Sequence, residues 1–378
     1  MRNGALVDLN SPARTLRIGG RPLPVVGPAR MYVCGITPYD ATHLGHARTF
    51  VWADVAARVL RHAGGDVRVC RNVTDVDDVL DQAAHRAGSP YDSFAAVQQF
   101  YFERDLEVLG VHAVDHQPRA HNHVGEVVAL AQGLLASGHA YVRDGAVRFR
   151  GGGVPRRAGL DDGRARELLA EYGDAPGDPA KEDPFDVALW RPSRPGEPAW
   201  PSPWSAGRPG WHAECSAMAM TTFGPALDLH AGGADLRFPH HAYEAAMAEA
   251  LTGVRPFSRA WLHVGMVRRD GAKMAKSTGN LVLVSDLIQD HPASAVRFML
   301  LAEPWAREWD YTPGALDRAA AGLDRLLAAA GRGGSSPAAE AAVTRALLDD
   351  LDVRTALDVA EHEGGRTARL VARVLALG

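Results

Sequence analysis

Between Met31 and Asn72 the spacing of apolar residues switches from strand-like to helix-like and back, and this restricts the fold more than any other stretch of the chain. Met31 and Val33 lie in an apolar, β-prone run that ends at Cys34 and Gly35. The chain then turns through Thr37 and Pro38 and reaches His43-Leu44-Gly45-His46, where a helical pattern begins. Val51, Val55 and Val59 recur four apart, with Trp52, Ala56 and Leu60 beside them, until Gly64-Gly65 stops the helix. Val67 and Val69 then alternate into Arg71-Asn72. Strand, crossover helix and strand make a right-handed βαβ unit, whose ligands collect at the carboxyl ends of its strands. Cys34 and Thr74 are therefore expected on one rim of a parallel sheet.

The turn at that rim suits a phosphate. Backbone N–H groups at a helix N-terminus lack partners and the helix dipole is positive there. His43 and His46, three apart on the first helical turn, can both donate hydrogen bonds to phosphoryl oxygens, and Gly45 between them leaves room for a nucleotide. Far downstream, Lys273 and Lys276 stand three apart on a glycine-started loop and can meet a polyphosphate. Either motif alone also describes a solvated surface turn.

The chain of 378 residues is long enough for two or three units, and 46% hydrophobic with 23% charged residues marks it as globular. A net charge of −4 does not advertise the basic surface expected for gripping a large nucleic acid. Three cysteines, Cys34, Cys70 and Cys215, are too few and too odd for a disulfide scaffold, so a reducing cytoplasm is expected, with no membrane span. Residues 1–29 read as an extended lead-in with one hairpin, and 30–136 as the first half of a nucleotide-binding domain. Residues 137–206, rich in Pro, Gly and Trp, read as an insertion, and 207–285 as the second half of that domain. A helical segment at 286–331 and a short helical pair at 332–378 complete the expectation, with GRGGSSP (331–337) as a flexible link.

In the second half, Leu227 to His230 forms a short strand ending in Ala231-Gly232-Gly233-Ala234-Asp235. Glycines there permit close backbone approach, and an acid just after them can bind a ribose. His240 and Glu244 fall four apart on the helix opened by Pro239, and so share one face.

With H-L-G-H at 43–46 and K-M-A-K-S at 273–277 around an interrupted parallel sheet, the chain resembles a class I aminoacyl-tRNA synthetase catalytic domain. MYVCG (31–35), NVTDVDD (72–78), GRPGWHAECSAM (207–218), HAGGADL (230–236) and FPHH (238–241) are similar to signatures of the cysteinyl-tRNA synthetases and their small-molecule relatives. The resemblance implies an α/β fold, a Rossmann-like sheet followed by a C-terminal α-helical region, and activation of L-cysteine by ATP with Mg²⁺. It implies Zn²⁺ on Cys34, Cys215, His240 and Glu244, and a cysteine pocket of Gly35, Thr37, Thr74 and Trp211. It further implies ATP contacts from Gly45, Gly232, Gly233, Asp235 and Val267, with His43, His46, Lys273 and Lys276 as the catalytic groups on the phosphates.

The turn C-G-I-T-P-Y-D-A-T-H-L-G-H (34–46) resembles the ligases of mycothiol biosynthesis, which join cysteine to the amine of glucosaminyl-inositol. A small amine acceptor is therefore expected rather than tRNA, in a monomeric enzyme. Glu244, and Glu214-Cys215-Ser216-Ala217-Met218 after Trp211-His212-Ala213, look more like the tRNA enzymes. Ala231, Ala242 and Ala275 depart from both patterns, as in a divergent paralogue. A truncated tRNA-charging enzyme and a silent regulatory paralogue are the alternatives.

Overall fold

A four-stranded sheet of parallel strands, built from the βαβ unit and completed by two strands much later in the chain, places the candidate residues along one edge. The computed structural model describes residues 15–39, 41–274, 278–334 and 336–378. A small hairpin, β1 (Arg17–Ile18) and β2 (Arg21–Pro22), precedes the first sheet strand, β3 (Ala29–Ile36). Helix α1 (Leu44–His62) crosses to β4 (Val67–Val73), which pairs in parallel with β3 through Met31 to Val69 and Tyr32 to Cys70. Helices α2 (Asp78–Arg86), α3 (Tyr91–Val108) and α4 (Val124–Ala136) follow, with Phe102 and Leu106 of α3 packed in the core that holds Val67 and Val69 of β4.

Between α4 and the return to the core lie β5 (Ala140–Arg143), β6 (Ala146–Phe149), α5 (Val154–Arg157), α6 (Asp162–Glu171), β7 (Val187–Pro192) and β8 (Gly207–Pro209). The four strands form a separate antiparallel sheet. Its apolar face does not close on itself. Val147, Phe149, Leu189 and Trp190 share one buried cluster with Leu130 and Leu134 of α4. The cluster extends to Ala213 and Ala217 of α7 (Trp211–Phe223), and to Tyr243 and Met247 of the helix that follows the next strand. The segment is thus anchored to the helices that carry candidate site residues.

The main sheet resumes with β9 (Leu227–Gly233), followed by α8 (His240–Thr252) and β10 (Ser258–Val264), giving the order β10-β9-β3-β4. Beyond it come β11 (Val267–Arg269), β12 (Ala272–Lys273), α9 (Val284–Asp290), α10 (Ala293–Leu301), β13 (Trp309–Tyr311) and α11 (Gly314–Gly331). Strand β13 lies in a stretch whose sequence reads as helical. It forms because β11 offers an open edge, on which Val267 to Arg269 pair in parallel with Trp309 to Tyr311. The C-terminal region holds three helices rather than a pair: α12 (Pro337–Leu348), α13 (Val353–Glu363) and α14 (Gly365–Leu375). Much of the buried face of α13 is alanine, with Ala356 and Ala360 beside Val353 and Leu357, and so gives a weak periodic signal. The glycine-rich link before α12 is held by backbone bonds, with Arg366 N donating to Gly334 O; Ser335 lies outside the described residues.

Two fully buried arginines join the helical region to the sheet domain. Arg48 of α1 donates to the carbonyls of Gly265, Pro304 and Arg307 at 2.8 to 2.9 Å. Arg297 of α10 donates to Leu109 O and Leu375 O and pairs with Asp54 of α1. Burial would raise the Asp54 carboxyl, but His112, Arg297 and Arg58 hold it well below the usual carboxylate range. Removing one partner of such a pair leaves a buried charge under-compensated and typically costs about 3–5 kcal/mol. Arg297→Met is therefore expected to lower the unfolding free energy by about that amount, read as a reduced urea midpoint; a midpoint equal to wild type would show that the pair holds nothing together.

Candidate active site

A cavity of about 680 Å³ opens at the carboxyl ends of β3, β4 and β9. The floor is set by an unusually close approach of two strands. A Cβ on Gly35 would lie 1.6 Å from Asn72 O, so only glycine fits. Asn72 uses its side chain to fix the same corner, with Oδ1 accepting from Gly35 N (2.9 Å) and Nδ2 donating to Cys215 Sγ (3.2 Å). Beside it Thr37 and Thr74 exchange a 2.9 Å hydrogen bond across the strand ends. Both threonines, Gly35 and Trp211 line the cavity.

At one end lies a buried group of soft and hard donors. Ligating atoms of Cys34, Cys215, His240 and Glu244 all fall within 4.8 Å of one another, and Cys34, His230, His241 and Glu244 form a second such group. Sequence spacing gave His230 and His241 no role, although both lie inside the quoted signatures. His240 Nε2 is 2.7 Å from Glu244 Oε1, and Cys34 Sγ is 3.4 Å from the same oxygen. Glu244 Oε2, 3.4 Å from His230 Nε2, has no hydrogen-bond partner. Burial pushes the Cys34 thiol and the Glu244 carboxyl well up. Burial pushes Cys215 up as well, but the Cys34 hydrogen bond and His240 outweigh it and bring the thiol to about 7. A thiolate, an imidazole, a second sulfur and a carboxylate oxygen form a donor set that suits a metal ion such as Zn²⁺.

The rings around this group are stacked. Trp211 lies on His240 with centroids 3.9 Å apart, and Trp261 covers His230 at 4.7 Å. Gly232 does not line the cavity; a Cβ there would lie 2.7 Å from the His241 ring, so this glycine makes room for that imidazole. Glu244 likewise sits behind Cys34 and His240 rather than on the cavity wall. Cys70 is buried in β4 and is pushed up to about 12 by burial, with no place on that wall.

The other end is the turn before α1. His43 is the N-cap of α1, its Nδ1 accepting from Gly45 N at 3.1 Å, and its ring lies against His46 with centroids 3.9 Å apart. Both imidazoles and Gly45 face the cavity, as do Gly233, Asp235, Val267 and Lys273. Lys273 Nζ is 3.0 Å from Asp235 Oδ2. Lys276 and Ala275 lie outside the described residues. Asp77 also lines the cavity, and burial raises its carboxyl even though it accepts from Val79 N as the cap of α2. Tyr172 and Glu171 reach the cavity from the end of α6, with no sequence motif to announce them.

Burial, then Lys273, lowers His46 to about 4, and burial, then Arg237, lowers His263 to about 4. His212, His230 and His241 are also pushed well down by burial. These rings stay neutral in the folded protein while the unfolded chain, titrating near 6.5, takes up protons. The stability these imidazoles contribute is thus complete above about pH 6.5 and is lost as pH falls from there toward 4. Between pH 7 and pH 5 the melting temperature of a His46→Asn, His263→Asn double variant is expected to fall less steeply than that of wild type; equal slopes would contradict the assignment.

Residues 25–321 match the family described as tRNA synthetases class I (C) catalytic domain. A cysteine–tRNA ligase from Halorhodospira halophila is 44% identical over 338 residues, covering 88% of this chain and 73% of that one. An L-cysteine:1D-myo-inositol 2-amino-2-deoxy-alpha-D-glucopyranoside ligase from Mycolicibacterium gilvum is 44% identical over 348 residues, covering 89% and 78%. Among solved structures, Mycobacterium tuberculosis methionyl-tRNA synthetase in complex with methionyl-adenylate superposes with a TM-score of 0.62 at 19% identity, over 93% of this chain and 82% of that one. That likeness is one of fold.

Proposed function

Because the chain belongs to the family of class I (C) tRNA-synthetase catalytic domains, we propose that it activates L-cysteine with ATP and passes the cysteinyl group to the amine of glucosaminyl-inositol. The observation that carries the first step is a single cavity with buried sulfur, imidazole and carboxylate donors at one end and the His43–His46 turn at the other. The acceptor rests on the resemblance of residues 34–46 to the mycothiol ligases and on the relative that bears that ligase name.

Cys34, Cys215, His240 and Glu244 would hold Zn²⁺. Bound there, it supplies a soft Lewis acid that prefers a thiolate to a hydroxyl, which separates cysteine from serine. Thr37, Thr74 and Trp211 then position the amino and carboxylate groups. The cysteine carboxylate oxygen attacks the α-phosphorus of Mg²⁺-bound ATP. As the new O–P bond forms, the bridging P–O bond breaks and pyrophosphate leaves with the electron pair. His43 and His46 donate N–H groups to the phosphoryl oxygens as charge builds, and Lys273 and Lys276 neutralise the departing pyrophosphate. Gly233 and Asp235 face the ribose, and the backbone at Val267 faces the base. In the second step the acceptor nitrogen, having lost a proton to water, attacks the acyl carbon. The C–N bond forms, the C–O bond to AMP breaks with AMP carrying off the pair, and the nitrogen gives up a second proton to water to leave the neutral amide.

Glu244 favours a second reading, cysteine transfer to tRNA, since that residue resembles the tRNA enzymes. Exchange of pyrophosphate into ATP that depends on cysteine, followed by transfer assays with glucosaminyl-inositol and with tRNA, separates the two. Exchange and amide formation are expected; transfer to tRNA alone would replace the acceptor, and no exchange would remove both. Loss of a donor aimed at developing charge typically costs about 10²–10³ in rate, so His43→Asn is expected to slow exchange by that factor. Cys34→Ala is expected to lose the metal, and stoichiometric zinc in that variant would refute the donor set.

A further inference from the structure

Tyr172 touches both halves of the cavity at once. Its Oη donates to Asp235 O at 3.1 Å, on the nucleotide side. On the other side its ring stacks on Trp211, with centroids 6.0 Å apart and planes 26° apart, and Trp211 in turn lies on His240. In the ligase reading the substrate sulfur meets the donor group and the ribose meets Asp235, and Tyr172 lines the cavity in contact with Asp235 on one side and, through Trp211, with His240 on the other.

The ring already carries a cation. Lys273 Nζ lies 5.7 Å from the Tyr172 centroid while pairing with Asp235. In the reading above, Lys273 leaves that position for the pyrophosphate, uncovering an aromatic face that favours an ammonium. Glu171, the neighbouring residue, also lines the cavity, is exposed, and is in no ion pair among the described residues. Its carboxylate supplies the charge and hydrogen-bond acceptors that a cationic, hydroxyl-rich molecule needs.

We propose that Tyr172 and Glu171 form the seat of the acceptor: an amino sugar whose ammonium rests on the Tyr172 face that Lys273 now covers, with Glu171 gripping its charge or an adjacent hydroxyl. The seat rests on the ligase reading and locates its acceptor. The insertion, through the end of α6, thereby sets which amine is used, while the sheet domain sets which amino acid is activated.

The test compares amide formation with glucosaminyl-inositol against hydroxamate formation with hydroxylamine, a small nucleophile that needs the adenylate but no seat. In Glu171→Gln and Tyr172→Ala, KM for glucosaminyl-inositol is expected to rise about tenfold, as loss of a cation–ring or charge contact implies, with a much smaller change in the hydroxamate rate. Tyr172→Phe, which keeps the ring, is expected to restore KM to near the wild-type value. An unchanged KM in Glu171→Gln, or equal losses of amide and hydroxamate in the variants, would overturn the seat. Wild-type protein that makes hydroxamate but no amide with glucosaminyl-inositol removes the ligase reading instead. Glucosamine then serves as the probe, and the seat falls if Glu171→Gln uses it as well as wild type does.

Discussion

The contact between Gly35 and Asn72 decides where everything else in the cavity can stand. Two parallel strands meet there without a side chain between them, and the Asn72 amide bridges the end of β3 to the sulfur of Cys215 on α7. One residue thus ties together three elements, β3, β4 and α7, that are far apart in sequence. The thiol of Cys34, the Thr37–Thr74 pair and the second thiol take their positions from that corner. An approach this close is cheap only for glycine, so the floor of the site is a backbone property before it is a side-chain one.

Burial then sets the chemistry. The donor group at the cavity's end is removed from water, which disfavours charge on Cys34, Glu244 and the surrounding imidazoles alike. Only Cys215 moves the other way, because Cys34 and His240 stabilise its thiolate more than burial opposes it. The same set of groups that is uncomfortable alone is well matched to a divalent cation, which supplies the charge the interior lacks. At the opposite end burial keeps the His46 ring uncharged, and both it and His43 stand over the N-terminus of α1. The cavity therefore has a donor-rich end at Cys34, Cys215 and His240 and an imidazole end at the turn before α1.

The antiparallel sheet between the two halves is more than a decoration on this frame. Its core runs into α4, α7 and α8, so the helices that bear Cys215, His240 and Glu244 are packed on both sides. The same arrangement carries α6 to the mouth of the cavity, where Tyr172 lies against Trp211 and Lys273. Variation in this segment can reshape the mouth of the cavity while the residues at the ends of β3, β4 and β9 stay in place.

The βαβ unit was legible from apolar spacing, since a change of period directly reports which faces are buried, and the positions of His43 and His46 followed from the turn it implies. The pairing of Cys34 with Cys215, His240 and Glu244 was legible only through resemblance, because ligands brought together by a fold leave no local spacing to read. Strand β13 and helix α13 escaped: the first exists only because β11 offers a free edge, and the second buries mostly alanine. His230 and His241 read as parts of motifs without a role, and Gly232 as a nucleotide contact, until packing placed all three around one imidazole cluster. Sequence by itself determined the βαβ rim and the turn that brings His43 and His46 to it, which depend on short-range periodicity and backbone freedom. Tertiary structure alone decided the place of His230 and His241 beside Glu244, the orientation of Gly232 and the arrival of Tyr172, because each depends on packing that local spacing does not report.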